Sequence, residues 1–323
     1  MDSNPARPRA EEATLFLAGN SEIWVVDVDK EQVEHLRVPD LGAGDPPHLI
    51  ESIGDHLALW NYDVTSVPVA NPAAPPETIA DDGWIFIPAA DPSHIWVGFL
   101  DADRPRAERA LGELREIDGQ GNVITSGIEP PGGAWPEVAL ARGFLFWAND
   151  GAIRLWDLEQ RRTVRTYQRE EIGDIPGPVT GDLLASCIGG CKELILTDFE
   201  TGDQRRIPAP TGRAFMAREG AFSPDGETLA VPVTEATGDA GSLYRNPREL
   251  GLLSVDTGEI EIVSGSRVQP GYLFTDWMRG GGEVYMTGGG AGTRREIISH
   301  RLGEDRARRL AVDVGDFYDV AAG

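Results

Sequence analysis

Four carboxylates, Glu51, Glu137, Asp276 and Asp316, are the side chains of this sequence best suited to surround a cation. Hard ions such as Ca2+ take six to eight oxygen ligands. No contiguous calcium loop accompanies these acids, so solvation of a water-filled channel is the competing role. Solvation is the preferred reading and no cofactor is assigned; a structural or channel-bound Ca2+ is the alternative. The histidines, His35, His48, His56, His94 and His300, stand singly, with no pair at metal-ligand spacing. There is no G-x-S-x-G nucleophile elbow. The glycine runs 280–282 and 288–290 neither precede a helix nor lead into Lys-Ser or Lys-Thr, so they read as turns and not as phosphate cradles. No catalytic residue is assigned.

Cys187 and Cys191 are the only cysteines, and they flank Ile188-Gly189-Gly190. Across a glycine-rich hairpin, facing residues lie about 4.5 to 5.5 Å apart, within disulfide range. Such a link forms in an oxidising compartment and stays open in the cytosol. The three-residue gap is not the redox C-x-x-C, and without a second Cys or His cluster it makes a poor zinc site.

The elements that must position these groups follow from a repeated pattern. A short strand ends in Asp or another turn former, and a second strand follows: Ile23-Trp24-Val25-Val26-Asp27, Leu114-Arg115-Glu116-Ile117-Asp118, Ile153-Arg154-Leu155-Trp156-Asp157, Leu194-Ile195-Leu196-Thr197-Asp198 and Leu252-Leu253-Ser254-Val255-Asp256. Period-two apolar residues give each strand a core face, and the Asp bonds backbone amides ahead of it. Weaker copies end at Asn71 and Arg301. The seven turn positions recur every 39 to 58 residues, near the roughly 40 to 45 residues of a four-stranded propeller blade.

Inner strand pairs precede the repeated unit, as in Glu137 to Leu140 with Phe144 to Trp147. The first blade lacks its innermost strand, and Asp316 to Gly323 has that strand's pattern. The expectation is an all-β, seven-bladed β-propeller over 13–323 whose C-terminal strand completes the first blade. Residues 1–12 read as a flexible leader, and Asp101 to Ala110 has room for one short helix.

Two segments resemble the bacterial WD40-like and TolB-like propeller families. Ala221-Phe222-Ser223-Pro224-Asp225-Gly226-Glu227-Thr228-Leu229-Ala230-Val231 is similar to their inner hairpin, and Ile153-Arg154-Leu155-Trp156-Asp157-Leu158 to a WD40 third strand. The resemblance implies the fold and a binding role. Pro224, Asp225 and Gly226 are turn residues by chemistry: one fixes φ, one bonds nearby amides, one allows positive φ.

The first-to-second and third-to-fourth strand turns are short, whereas the opposite face carries the long connections: 39–47, 101–112, 234–248, 265–271 and 288–294. Function concentrates on such loops. Residues early in the innermost strands should rim the channel from that face. The candidates are His48, Glu51, Trp84, Trp135, Glu137, Arg213, Tyr272, Asp276, Asp316 and Tyr318, with Tyr244 and Arg245 on a long loop; the aromatic members are equally suited to fill blade interfaces.

The formal charge of −24 argues against a nucleic-acid partner. No apolar run is long enough to insert in a membrane. The reading is a monomeric, non-enzymatic platform for a protein partner, with Arg213, Tyr244, Arg245 and Trp135 as anchors. The alternatives are a small-ligand or sugar-binding propeller, or a metal-dependent lactonase-like hydrolase. An extracytoplasmic or envelope location is expected, with the cytoplasm as the alternative.

Overall fold

Burial of both faces of the middle strands organises the molecule. Thr14–Gly19, Ala152–Asp157 and Glu193–Asp198 are buried almost throughout instead of alternating, whereas outer strands such as Gln204–Pro208 are mostly exposed. A sheet with both faces covered needs a neighbour on each side, and a ring supplies one to every sheet. The computed structural model describes residues 14–19, 22–37, 49–61, 63–101, 110–131, 134–147, 151–173, 175–236, 245–271, 273–289, 295–315 and 317–322, without the side chains of Arg37, Asn61 and Tyr318. The expected leader and most of the expected helix over 101–110 lie outside these residues.

Seven antiparallel sheets are present, each ordered from an innermost to an outermost strand. Blade 1 runs Phe317–Ala322, Thr14–Gly19, Glu22–Asp27, Gln32–Arg37, and blade 2 runs Leu49–Ile53, His56–Asn61, Asp63–Pro68, Glu77–Ala80. Blade 3 holds Gly83–Pro88, His94–Leu100, Leu111–Asp118 and Val123–Ile128, and blade 4 holds Val138–Leu140, Gly143–Trp147, Ala152–Asp157 and Arg162–Gln168. Blade 5 comprises Ile175–Thr180, Leu183–Cys187, Glu193–Asp198 and Gln204–Pro208. In blade 6 the innermost strand is split into Arg213–Phe215 and Ala221–Phe222 by a 3-10 turn, Ala217–Glu219, and both pieces pair with Thr228–Glu235 before Arg248–Ser254 and Ile260–Ile262. Blade 7 is Thr275–Trp277, Glu283–Gly288, Glu296–Arg301 and Arg308–Arg309.

The ring closes as the sequence pattern predicts: Leu15 faces Ala322, Phe16 faces Ala321 and Leu17 faces Val320. Seven apolar clusters fill the seven clefts between neighbouring blades. The closing cleft joins Tyr285 and Ile297 of blade 7 to Leu15, Leu17, Trp24 and Phe317 of blade 1.

The recurrent Asp residues do the turn chemistry expected of them. Asp118 Oδ1 accepts the amides of Gln120 and Asn122 at 2.9 and 2.8 Å, Asp157 that of Gln160 at 2.8 Å, and Asp198 that of Glu200 at 2.8 Å. In the inner hairpin of blade 6 the Ser223 hydroxyl donates to Asp225 and accepts the Thr228 amide at 2.9 Å, while Gly226 takes φ +73°.

The cysteines differ from the expected geometry. Cys187 ends a strand and faces Leu194, while Cys191 sits in the following turn with positive φ, so the two are not cross-strand partners. They are nevertheless bonded, with Cα atoms 5.1 Å apart, because the turn folds back under the strand end. Besides the 3-10 turn in blade 6, the described residues include one turn of α-helix, Arg169–Ile172. No described helix is long and apolar enough to cross a membrane.

Candidate functional site

Innermost strands converge on the axis, and between them lies a cavity of about 640 Å3 to which every blade contributes. Its wall comes mostly from the later part of these strands and the turns that follow: Glu51, Ser52 and Gly54 of blade 2, Ile87 to Ala90, Pro92 and Ser93 of blade 3, Glu137 to Ala139 of blade 4, Gly177 to Thr180 of blade 5, Gly220 to Pro224 of blade 6, Asp276, Trp277 and Arg279 of blade 7, and Ala322 of blade 1. The cavity therefore lies towards the short-turn face. Most of these walls belong to the ends of the innermost strands, next to their first turns.

Crowding at the axis selects small residues. A Cβ on Gly177 would lie 2.5 Å from the Ala217 carbonyl oxygen and 2.7 Å from that of Ala185. The Trp277 indole is buried in the wall and donates to the Ala221 carbonyl at 2.9 Å, joining blade 7 to blade 6. At the mouth, Arg279 donates to the Ser52 hydroxyl at 3.2 Å, reaching from blade 7 to blade 2.

One wall is acidic. Asp276 accepts the Trp277 amide at 2.8 Å and, across the blade boundary, the Ala322 amide at 2.7 Å. Asp319 repeats this arrangement one blade further on, accepting Val320 at 2.9 Å and Ile50 of blade 2 at 2.9 Å. These two acids staple blade 7 to blade 1 and blade 1 to blade 2 through their innermost strands. Burial pushes Asp276 up to about 6, against the pull of its two amide donors. Burial, aided by the charge of Asp276, pushes Asp319 up to about 7.

Glu51 completes the wall. Burial first, then the charges of Asp276 and Asp319, hold its carboxyl well above the usual range. Unlike the two aspartates, it has no hydrogen-bond partner among the described residues. Its environment resembles that of carboxylates whose affinity for protons or cations is raised by desolvation and like charge.

Of the residues singled out in the sequence, the structure brings Glu51, Glu137 and Asp276 into the cavity wall. Trp84, half-buried, and Trp135, with 39% of its surface exposed, are not part of it. Arg213 is paired with Glu249 at 2.6 Å, and Arg245 is exposed away from the wall. His48, Tyr244, Tyr272 and Asp316 lie outside the described residues, as does the side chain of Tyr318. Asp319, Ser52 and Arg279 were missed. A signal for Asp319 existed: Phe317-Tyr318-Asp319-Val320 repeats Phe274-Thr275-Asp276-Trp277 in adjacent blades, with the acid in the same role.

The long connections are partly pinned. Residues 265–271 are held by a bridge between Arg248 and Val268, with Arg248, Ser266 and Val268 fully buried, so that segment is core and not a free loop. The stretches 39–47, 102–109, 237–244 and 290–294 lie outside the described residues. Among the described residues no group of three or more His, Cys, Asp or Glu side chains is arranged to hold a metal ion. The described histidines are dispersed: His35 pairs with Glu22, His56 with Asp55 and His94 with Glu116.

Seven antiparallel sheets around an axial cavity, six of four strands and one with its innermost strand split in two, define the molecule as a seven-bladed β-propeller. Among solved structures it is similar to apo AztD from Citrobacter koseri, with a TM-score of 0.52 and 14% identity over 97% of this chain and 98% of that one. At that identity the likeness shows the fold. No protein-family model and no curated protein sequence matches the chain.

Proposed function

We propose that this protein is a non-enzymatic binding propeller whose axial cavity receives a small molecule. The observation that carries the reading is the cavity itself: about 640 Å3, lined by all seven blades, with many apolar residues in its wall and polar groups distributed around it, among them Glu51, Glu137 and Asp276. Small-molecule sites typically occupy about 300 to 1,000 Å3 with this mixture of walls and polar groups. A rigid closed ring also suits binding, since little conformational freedom is lost on ligand uptake. Within the propellers, the segments 221–231 and 153–158 support placement among the WD40-like or TolB-like bacterial families. The bonded Cys187–Cys191 pair supports an extracytoplasmic location.

The test is to fill the cavity. Ala90 is half-buried in its wall, and Ala90→Trp should abolish the thermal shift that small-molecule ligands give the wild-type chain. Equal shifts in both proteins, or no shift from any compound, would count against the reading. Exposed Trp135 and Arg245, both on the long-loop side, support a second reading in which a protein partner docks there. In a pull-down, Trp135→Ala with Arg245→Ala should then lose that partner while the cavity ligand is retained.

A further inference from the structure

We infer that the cavity takes an organic ammonium ion, a protonated amine on an apolar body, with its nitrogen against Glu51 and its body on the apolar wall. The inference rests on the binding reading above and names the ligand class for that site. Three observations carry it. The Glu51 carboxylate lines the cavity and accepts no hydrogen bond among the described residues. Its acidic neighbours, Asp276 and Asp319, each already hold two backbone amides, so they supply negative charge but not a donor. The blades facing them give the wall apolar surface, Ile87 and Ala89, Val138, Val179 and Phe222, interspersed with Ser93, Glu137, Thr180 and Ser223.

The surrounding charges do not neutralise this wall from within. Arg279 is exposed at the mouth and donates to Ser52, Asp55 on the next turn is itself acidic and paired with His56, and Glu137 adds a further acid on the far side. A desolvated carboxylate flanked by like charges holds a proton at the expense of ionisation. An ammonium ion replaces that proton, makes charge-assisted hydrogen bonds to the carboxylate, and leaves its hydrocarbon on surface that water covers poorly. A neutral molecule of the same shape lacks the first two gains. Binding must therefore release protons wherever the raised carboxyl of Glu51, or Asp276 near 6 and Asp319 near 7, still holds a proton before the cation arrives.

Calorimetric titration of the full chain with tryptamine, with its neutral analogue tryptophol and with CaCl2 tests this. Tryptamine should bind at one site and tryptophol about tenfold or more weaker. Glu51→Gln should weaken tryptamine by a similar factor, about tenfold, while melting no lower than the wild type. Titrations in two buffers of different ionisation heat, at about pH 6.5, should show protons released by the wild type and fewer by Glu51→Gln. Equal tryptamine affinity in Glu51→Gln, or equal affinity for tryptophol, overturns the assignment. Ca2+ binding in place of tryptamine also overturns it but leaves the cavity reading in place. If no probe of any charge binds and Ala90→Trp changes nothing, both fall together.

Discussion

At Glu51 the carboxyl ionises at a higher pH in the folded chain than the roughly 4.3 expected of an unfolded glutamate. The folded state therefore holds a proton that the unfolded state has already lost. Its contribution to stability is fully present below the unfolded value and is lost as pH rises through the folded one. Glu51→Gln removes this dependence. At about pH 8 the variant should melt about 2 °C or more above the wild type, and at about pH 5 the two should coincide. A second residue works in the opposite sense. Asp225 ties the blade 6 hairpin through Ser223 and the Glu227 amide, so Asp225→Ala should cost about 1 kcal/mol in urea unfolding.

Two elements carry disproportionate weight. The strand Phe317–Ala322 buries Phe317, Val320, Ala321 and Ala322 and supplies one partner of each acidic staple, the Ala322 amide to Asp276 and the Asp319 carboxylate to Ile50. Deleting residues 317–323 exposes the edge of Thr14–Gly19 and removes burial worth about 5 kcal/mol by side-chain transfer values, comparable with the whole stability of many domains. The shortened chain should lose its cooperative thermal transition by circular dichroism; an unchanged melting curve would contradict ring closure. The second element is the turn closed by Cys187 and Cys191. So short a loop gives a chain-entropy gain of about 2 kcal/mol, and adding reductant should lower the denaturation midpoint accordingly. Cys187→Ser with Cys191→Ser should lose that response, and intact mass with and without reductant should differ by two hydrogens.

Across the whole molecule, the charge of −24 and the axial acids act together. Asp276 near 6 and Asp319 near 7 both ionise above the unfolded range. The wild type should therefore become less stable as pH rises from about 5 to about 8. Surface repulsion adds to the same trend, and the two causes separate by ionic strength. Salt screens the exposed charges over a Debye length of roughly 10 Å and less as it is raised, but it reaches the axial acids poorly. Melting curves in high salt should keep the part of the pH slope that Glu51→Gln reduces.

The blade count, the closing strand and the Asp turns were legible in the sequence because each depends on neighbours along the chain: the alternation within a strand, or an Asp two to four residues from the amides it accepts. The repeat also fixed which segments sit innermost, and so Glu51, Glu137 and Asp276 were found. What the chain order does not contain is how far along each innermost strand the ring is open. That depends on the splay of seven strands around an axis, which sets the cavity wall towards the short-turn face. It also decided the partnership of Asp319 with Ile50, 269 residues away, and left Glu51 unpaired beside two satisfied acids. Local pattern determines a strand and its turns; the electrostatics of the axis arise only where seven of them meet.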